Sequence, residues 1–435
     1  MFKIADISVV HLTHDSRTVK QGSCFFALNA RTANGKMYIK QAVSRGTSII
    51  VAEEKLEEPV PTLVVPDVRE FMSRAAKRFH NNVCDKMDII GITGTNGKTT
   101  CAHMMAHILM KNVGIIGTLG PGKLTTPDPI ELHEIFADMY KRGVRTVVME
   151  VSAHAIHYRK IAGINFRTGI FTNLSQDHLD FFGTMEKYAQ TKVDFMTSPA
   201  VHAAIVNTDD KYGREILDKH PYTFKYSLTD KDCQHITPTF NRYNALACVA
   251  AARELGIKQR KIAKALRTMP QIPGRFQRIG NVIIDYAHTP DGLEKILLAA
   301  RELCNWAQSC APTRLITVFG CGGNRDKTKR EIMGAIAARL SDYVVVTSDN
   351  PRNESPMAIM LQIKQGIKTG VGAHDCALGE KYCLIEDRKK AIHHALNIAK
   401  PGDVVVIAGK GAETTQEISG NFIPYTDEQI VREYI

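Results

Sequence analysis

The segment that most restricts how this chain can fold is Gly91-Ile-Thr-Gly-Thr-Asn-Gly-Lys-Thr-Thr100. It lies between the apolar run Asp88 to Thr93 and a helical pattern through Met110. Strand, glycine-rich turn and helix in that order build a site for an anion. The glycines let the backbone turn so that successive amides and the helix N-terminus converge on phosphate oxygens. Lys98 adds a mobile positive charge, and the Thr99 hydroxyl can ligate magnesium. Ile92 stands where the usual pattern has its first glycine, so a chance glycine-rich turn is the competing reading. The strand before the loop and the Lys-Thr pair and helix after it argue for a nucleotide site.

Around this loop, strand-like runs alternate with helical patterns almost throughout, which predicts an α/β fold with largely parallel sheets. At 435 residues the chain is too long for one ordinary core, and three domains are expected. Residues 1–86 hold strands at Cys24 to Leu28 and Thr47 to Glu53 around an amphipathic stretch from Tyr38 to Arg45. Residues 87–272 hold strands at Asp88 to Thr93, Val144 to Glu150, Thr168 to Thr172 and Ala203 to Asn207, and close at the Pro/Gly-rich hinge Pro270 to Gly274. Residues 273–435 alternate Val282 to Tyr286, Leu315 to Phe319, Tyr343 to Thr347 and Val404 to Ala408 with helices, which resembles a dinucleotide-fold domain.

Composition matters chiefly for what it excludes. No apolar run exceeds strand size, and the N-terminal residues meet acidic and histidine side chains before any stretch suited to a signal peptide, so a cytoplasmic protein without membrane insertion is expected. Ten cysteines without a Cys-x-x-Cys pair fit a reducing compartment and packing roles rather than a disulfide framework or a zinc ribbon. The net charge of +11 suits polyanionic partners. With no basic run and no aromatic-basic interleaving, nucleotide-sized polyanions are favoured over nucleic acid, beside an ordinary basic surface as the bland account.

Further strings narrow the function. Met149-Glu-Val-Ser-Ala-His154, Phe171-Thr-Asn-Leu-Ser-Gln-Asp-His-Leu-Asp180, Asn241-Arg-Tyr-Asn244, Asp285-Tyr-Ala-His-Thr-Pro-Asp291, Phe319-Gly-Cys-Gly-Gly-Asn-Arg-Asp-Lys327 and Asp349-Asn-Pro-Arg352 follow the phosphate loop. In this order they resemble the Mur ligase family, over nearly the whole chain. The strings match its tripeptide-forming branch, which adds meso-diaminopimelate to UDP-N-acetylmuramoyl-L-Ala-D-Glu. The resemblance implies a three-domain architecture, with a central sheet like that of phosphate-loop ATPases and a Rossmann-like C-terminal domain. It also implies an ATP-dependent amide ligase, here a monomer, that passes through an acyl phosphate. A folylpolyglutamate synthetase shares the phosphate loop but not Asp-Asn-Pro-Arg or the N-terminal strings. A silent nucleotide-binding subunit is the alternative outside enzymes, and the presence of Lys98, Glu150, His178 and Lys192 together speaks against it.

Residue roles come from the same resemblance. Gly94 to Thr100, that is Gly94, Thr95, Asn96, Gly97, Lys98, Thr99 and Thr100, are expected to hold ATP with Asn241, Asn244, Arg275, Asp285 and His288. Helix capping is the other account of the two asparagines. Thr99, Glu150 and His178 are expected to bind magnesium with Lys192, the last as a carbamate formed from carbon dioxide, which turns a cation into a carboxylate-like ligand. Read alone, His178 is a loop histidine and Lys192 a solvated helix residue. Ser16, Arg31, Thr32, Ala33, Thr125, Thr126, Ser152, Tyr158 and Lys160 are expected at the UDP-muramoyl dipeptide, although Ser16 and Arg31 to Ala33 also read as short polar loops. Arg325, Asp349, Asn350, Pro351, Arg352, Gly409 and Glu413 are expected to hold diaminopimelate. Arg352 would grip the distal carboxylate and Glu413 would face the distal ammonium. A β-turn is the alternative for the Asn-Pro pair. The chain departs from the family pattern in a short Gly117 to Thr126 segment, in Lys160 where arginine is common, and in Ala412 where histidine is frequent.

Overall fold

The computed structural model describes residues 2–29, 35–122, 124–306, 313–370 and 381–435. Three sheets of parallel strands organise it, and each carries its own apolar clusters. The first has the order His11–Thr13, Ser23–Phe26, Thr47–Ala52, Thr62–Val64, all parallel. An antiparallel hairpin, Phe2–Ile4 with Ile7–Val9, precedes it. The amphipathic stretch after Tyr38 forms a helix over Ile39–Ser44, and a longer helix, Val68–Phe79, starts where the Asp67 carboxylate accepts from the Glu70 amide.

The second sheet has six strands in the order Thr223–Tyr226, Val201–Asn207, Phe166–Phe171, Asp88–Thr93, Thr146–Glu150, Val113–Ile116, again all parallel. From Asp88–Thr93 the chain runs through helix Lys98–Leu109 to the edge strand Val113–Ile116, returns to Thr146–Glu150, then crosses to Phe166–Phe171 on the other side. The strand order therefore reverses at the phosphate-loop strand, and in open α/β sheets such a reversal leaves a crevice at the carboxyl ends of the strands.

The third sheet is also six-stranded, with the antiparallel edge Gln277–Ile279 followed by Val282–Asp285, Val404–Ala408, Leu315–Phe319, Tyr343–Val346 and Tyr382–Leu384 in parallel. Both six-stranded sheets are covered by helices on two faces, each face with a buried cluster, which is why their inner strands read as continuous apolar runs. The outermost hairpin, Thr415–Ile418 with Asn421–Pro424, lies against the Asp349-Asn-Pro-Arg352 loop through an isolated bridge between Arg352 and Ile418.

The strands expected from long apolar runs form within two residues of the expected ends, Asp88–Thr93, Leu315–Phe319 and Val404–Ala408 without change. The short strands His11–Thr13, Thr62–Val64, Val113–Ile116, Thr223–Tyr226, Gln277–Ile279 and Tyr382–Leu384 carried no comparable signal. All are half-exposed in part or too brief to establish a period.

Candidate functional site

The phosphate loop leaves its strand with Gly94 at φ 144° and enters its helix through Gly97 at φ 85°, backbone that side chains with a Cβ seldom adopt. A Cβ on Gly97 would also strike the Asn244 side-chain oxygen. The expected loop conformation and the Asn244 contact thus require the same glycine. The loop is fixed from outside: Asn173 accepts from the Thr95 amide at 2.8 Å through its backbone carbonyl and from the Asn96 amide at 3.1 Å through its side-chain oxygen. Thr95 Oγ1 lies 3.1 Å from the Tyr188 hydroxyl.

Two lysines meet here. Lys98 Nζ donates to the carbonyls of Gly94 and Thr95 at 2.9 and 2.8 Å, and Lys192 Nζ donates to the same Gly94 carbonyl at 2.7 Å. Burial lowers the pKa of both. For Lys192 the fall is large, and the neighbouring Lys98 charge adds to it. Lys192 is 1% exposed, so its reading as a solvated helix residue fails: helix Met185–Thr197 turns this face onto the loop.

Glu150, buried at the end of its strand, accepts from Thr99 Oγ1 at 3.0 Å through Oε2 and from the Thr118 amide at 2.8 Å through Oε1. Thr126 Oγ1 donates to the Glu150 carbonyl at 2.8 Å and accepts from the Ser152 amide at 3.1 Å. Thr125 joins the group through the Thr118 hydroxyl at 3.1 Å. His178 takes the left-handed conformation at φ 56°, with Nε2 3.3 Å from Asp177 and its ring edge-on to His154 at 4.7 Å. Burial holds its pKa below the usual histidine value, against the pull of Asp177.

The carboxyl ends of the third sheet face this assembly. Arg275 donates to Thr99 Oγ1 at 3.0 Å and lies 4.4 Å from the Tyr286 ring centroid. Asp291 accepts from Asn96 at 2.7 Å and from Ser175 at 3.2 Å. Burial pushes the Tyr286 hydroxyl up to about 12, and the charges that also reach it, Glu413, Arg275, Asp349 and Glu150, come from both sheets. Asp285 braces this turn, since its two oxygens accept from the Phe276 and Ala287 amides at 2.6 and 2.8 Å. Burial dominates its raised pKa. His288 Nδ1 lies 2.9 Å from the Tyr286 carbonyl, and the His288 carbonyl accepts from Lys329 at 2.8 Å.

Farther along the same edge, Asn350 donates to Glu413 Oε2 at 2.8 Å, and the Asp349 carboxylate lies 2.5 Å from where a Cβ on Gly409 would be. Arg352 and Arg325 both flank Gly322. Arg352, at φ 52°, is already engaged: Nε is 3.0 Å from Glu417, and Nη1 donates to the Gly323 carbonyl at 2.9 Å. A carboxylate of the neighbouring hairpin holds it.

Among the described residues, the remaining expected ones have local partners of their own. Ser16 is buried and donates to Gln41 at 2.6 Å. Lys160 pairs with Asp128 at 2.8 Å, and the Arg69 guanidinium stacks 4.5 Å from the Tyr158 centroid. Arg31, Thr32 and Ala33 lie outside the described residues. Neither capping account fits the asparagines, since Pro238 is the N-cap of helix Thr239–Glu254 and Asn244 is buried in its second turn. Asn241 supports Asn244 with a long 3.4 Å hydrogen bond. Surface clefts of about 420 and 500 Å³ lie at Lys231 to Arg267 and Thr237 to Leu303, and the second reaches Phe276 beside Arg275.

Sequence reasoning missed Asp177, Asn173, Asp291 and Lys410. Asp177 and Asn173 lie inside the string Phe171 to Asp180, and Asp291 ends the string begun by Asp285. Lys410 sits between Gly409 and Glu413 and is fully buried, and a lysine between two glycines at a strand end was the available signal.

Residues 92–235 match the family model for the Mur ligase middle domain, and residues 274–411 match that for the Mur ligase glutamate ligase domain. A curated relative, the UDP-N-acetylmuramoyl-L-alanyl-D-glutamate–2,6-diaminopimelate ligase 1 of Clostridium acetobutylicum, is 38% identical over 99% of this chain and 95% of its own length. A solved structure of a ligase of the same name is 29% identical, with a TM-score of 0.64 over 98% of this chain and 94% of that one. The MurF ligase of Thermotoga maritima, solved in complex with ADP, shares the fold with a TM-score of 0.63 at 19% identity, over 93% of this chain and 95% of its own.

Proposed function

The chain belongs to the Mur ligase family, and from that premise we propose that it is the ATP-dependent ligase joining meso-2,6-diaminopimelate to UDP-N-acetylmuramoyl-L-Ala-D-Glu. The products are the UDP-muramoyl tripeptide, ADP and phosphate, in cytoplasmic peptidoglycan synthesis. One observation carries this reading: the carboxyl ends of two parallel sheets, one bearing the phosphate loop and the other Asp349 to Arg352 with Gly409 to Glu413, meet where Arg275 contacts Thr99. Such a cleft can bring ATP, an acid and an amine to one place. For location, the support is that no helix among the described residues is long and apolar enough to cross a membrane and that all eight described cysteines are free thiols, seven of them buried. The three sheets support a division into residues 1–86 for the UDP-sugar, 87–272 for ATP and 273–435 for the amino acid.

The chemistry must turn the D-glutamyl carboxylate into an acyl phosphate, which the diaminopimelate amine then attacks. Lys98 leaves the Gly94 and Thr95 carbonyls for the nucleotide phosphates, and the loop amides take the remaining oxygens. Arg275 adds positive charge from the facing sheet. Thr125, Thr126 and Ser152 orient the dipeptide beside Glu150. Asn241, Asn244 and His288 lie along the adenosine, and Asp285 holds the turn that carries Arg275 and His288. Closure of the cleft keeps water from the acyl phosphate.

Magnesium, when bound, supplies charge that offsets the repulsion between the two anions. Thr99 and Glu150 fit a hard cation, being buried oxygen donors in mutual contact, and burial keeps the His178 ring neutral with a lone pair to offer. Among the described residues no three His, Cys, Asp or Glu side chains gather for a metal, so a further anionic donor is needed. Lys192 fits that role as a carbamate. Carbamylation needs an uncharged amine to attack carbon dioxide, forming a C–N bond and releasing a proton, and the depressed pKa of Lys192 supplies one.

The test is phosphate release by purified enzyme given ATP, magnesium and the UDP-muramoyl dipeptide, with candidate amino acids compared at equal concentration. Turnover should require both the dipeptide and meso-diaminopimelate. Preference for L-lysine would overturn the amino-acid assignment, and no dependence on the dipeptide would overturn the ligase reading itself.

A further inference from the structure

The residues assigned to the amino acid surround a cation that neither the motifs nor the chemistry above has used. Lys410 follows strand Val404–Ala408 by two residues, and its side chain is 0% exposed, whereas that of Glu413 is 32% exposed. Its ammonium spends all three donors within the protein: on Asn350 Oδ1 at 3.0 Å, Glu413 Oε2 at 2.8 Å and the Thr415 carbonyl at 2.8 Å. Asn350 Nδ2 donates to the same Glu413 oxygen at 2.8 Å, and Asn350 Oδ1 also accepts from the Glu417 amide at 2.9 Å. Glu413 Oε2 is therefore doubly engaged, while Oε1 has no partner among the described residues and remains for a ligand.

We propose that Lys410 is a positioning residue that sets amino-acid specificity: its buried charge cancels that of Glu413, so the pocket favours a zwitterionic distal head over a bare ammonium. The inference rests on the proposed function. Around the pocket, Arg325, Arg352 and Lys410 are opposed by Asp349, Glu413 and Glu417, which leaves no formal net charge. Arg330 and Glu354 nearby form a closed pair at 3.0 Å. A neutral pocket matches the distal end of meso-diaminopimelate, whose carboxylate and ammonium also sum to zero. The distal end of L-lysine carries one uncompensated positive charge. Without Lys410 the pocket would hold one excess negative charge and attract that cation, since opposite charges in a partly buried site interact far more strongly than in water.

The experiment compares kcat/KM for meso-diaminopimelate and for L-lysine in wild type, K410M, K410Q and K410R, at saturating ATP and UDP-muramoyl dipeptide. K410M removes the charge and the hydrogen bonds, K410Q removes the charge but keeps donors, and K410R keeps the charge. The ratio of the two specificities should fall by about tenfold or more in K410M and K410Q, roughly 1.4 kcal/mol for each tenfold. It should stay near wild type in K410R, with the KM for ATP unchanged throughout. A ratio equal to wild type in the neutral variants, with KM for both amino acids rising together, would overturn the proposal and leave Lys410 a purely structural residue. If the neutral variants do not fold, wild type decides. There 2-aminopimelate, which keeps the distal carboxylate without the ammonium, should be used about tenfold less well than meso-diaminopimelate, and equal use overturns the neutral-pocket account. Wild-type preference for L-lysine would instead overturn the substrate assignment on which the inference stands.

Discussion

At the scale of single residues, the two lysines that share the Gly94 carbonyl divide the work by their surroundings. Lys98 lies at the first position of its helix with carbonyl partners that a phosphate can replace. Lys192 is carried by helix Met185–Thr197, which turns it onto the loop, and lies 4.9 Å from the Tyr188 ring centroid. Lys98→Ala should abolish ligation with little change in unfolding, because the Gly94 carbonyl it releases keeps its hydrogen bond from Lys192. Lys192→Ala should be nearly inactive. In the wild type, carbon-13-labelled bicarbonate should give a carbamate resonance that Lys192→Ala lacks. The same resonance in both proteins, or wild-type turnover by Lys192→Ala, would remove the carbamate from this site.

Among elements, the loops that carry Arg325 and Arg352 are held to each other, and the helix that follows the first of them joins both. Arg330, 1% exposed on helix Lys329–Leu340, pairs with Glu354 through both terminal nitrogens, at 3.0 and 3.1 Å, and also reaches the Gly322 carbonyl at 3.3 Å. Glu354 in turn accepts from the Asn324 amide, and Lys327 lies 3.7 Å away. The Arg330 hydrogen bonds lower the Glu354 pKa from 4.5 to about 2. A carboxyl depressed in the folded state contributes stability that is complete above its unfolded value and is lost as pH falls toward the folded one. Glu354→Gln should therefore be less stable than wild type at neutral pH, and urea unfolding should show the gap narrowing between about pH 4.5 and about pH 2. A gap independent of pH would mean that the pair holds the loops by shape alone. A second buried pair, Arg388 with Asp427 at 2.8 Å, anchors the helix after strand Tyr382–Leu384 and donates to the Ala408 carbonyl at 3.0 Å, just before Gly409. It thereby fixes where the Lys410 turn begins.

For the whole molecule, the joints between the sheets differ in kind. The first unit is tied to the second by backbone acceptors: Ser73 donates to the Lys160 and Ala162 carbonyls at 3.0 Å, and Lys77 to the Gly163 carbonyl at 2.7 Å. The third unit meets the second through side chains at the phosphate-loop edge, chiefly Arg275 with Thr99 and Asp291 with Asn96 and Ser175. These contacts involve the phosphate loop itself, so domain approach and nucleotide binding are mechanically linked. Asp291→Ala should raise the KM for ATP by about tenfold or more, since a hydrogen bond to a charged group is worth about 1.5–3 kcal/mol. It should leave urea unfolding almost unchanged, because the residue is partly exposed at the helix start. An unaltered KM for ATP would show that this contact is not used during turnover.

The α/β class, the inner strands and the phosphate loop were legible in the sequence, because each is written in local chemistry. Asp88–Thr93 and Val404–Ala408 are apolar runs long enough to mark strands, and glycine at 94 and 97 is demanded by backbone angles a few residues apart. Resemblance to family strings then named most of the side chains found at the carboxyl edges of the two six-stranded sheets. Tertiary structure alone decided their states. Lys192 meets a carbonyl 98 residues away, and Lys410 meets an asparagine 60 residues away. Arg352 is held by Glu417 from a hairpin with no place in the motif. Burial, pKa and partner choice arise when distant segments exclude water from one another, and no local window of sequence contains both segments.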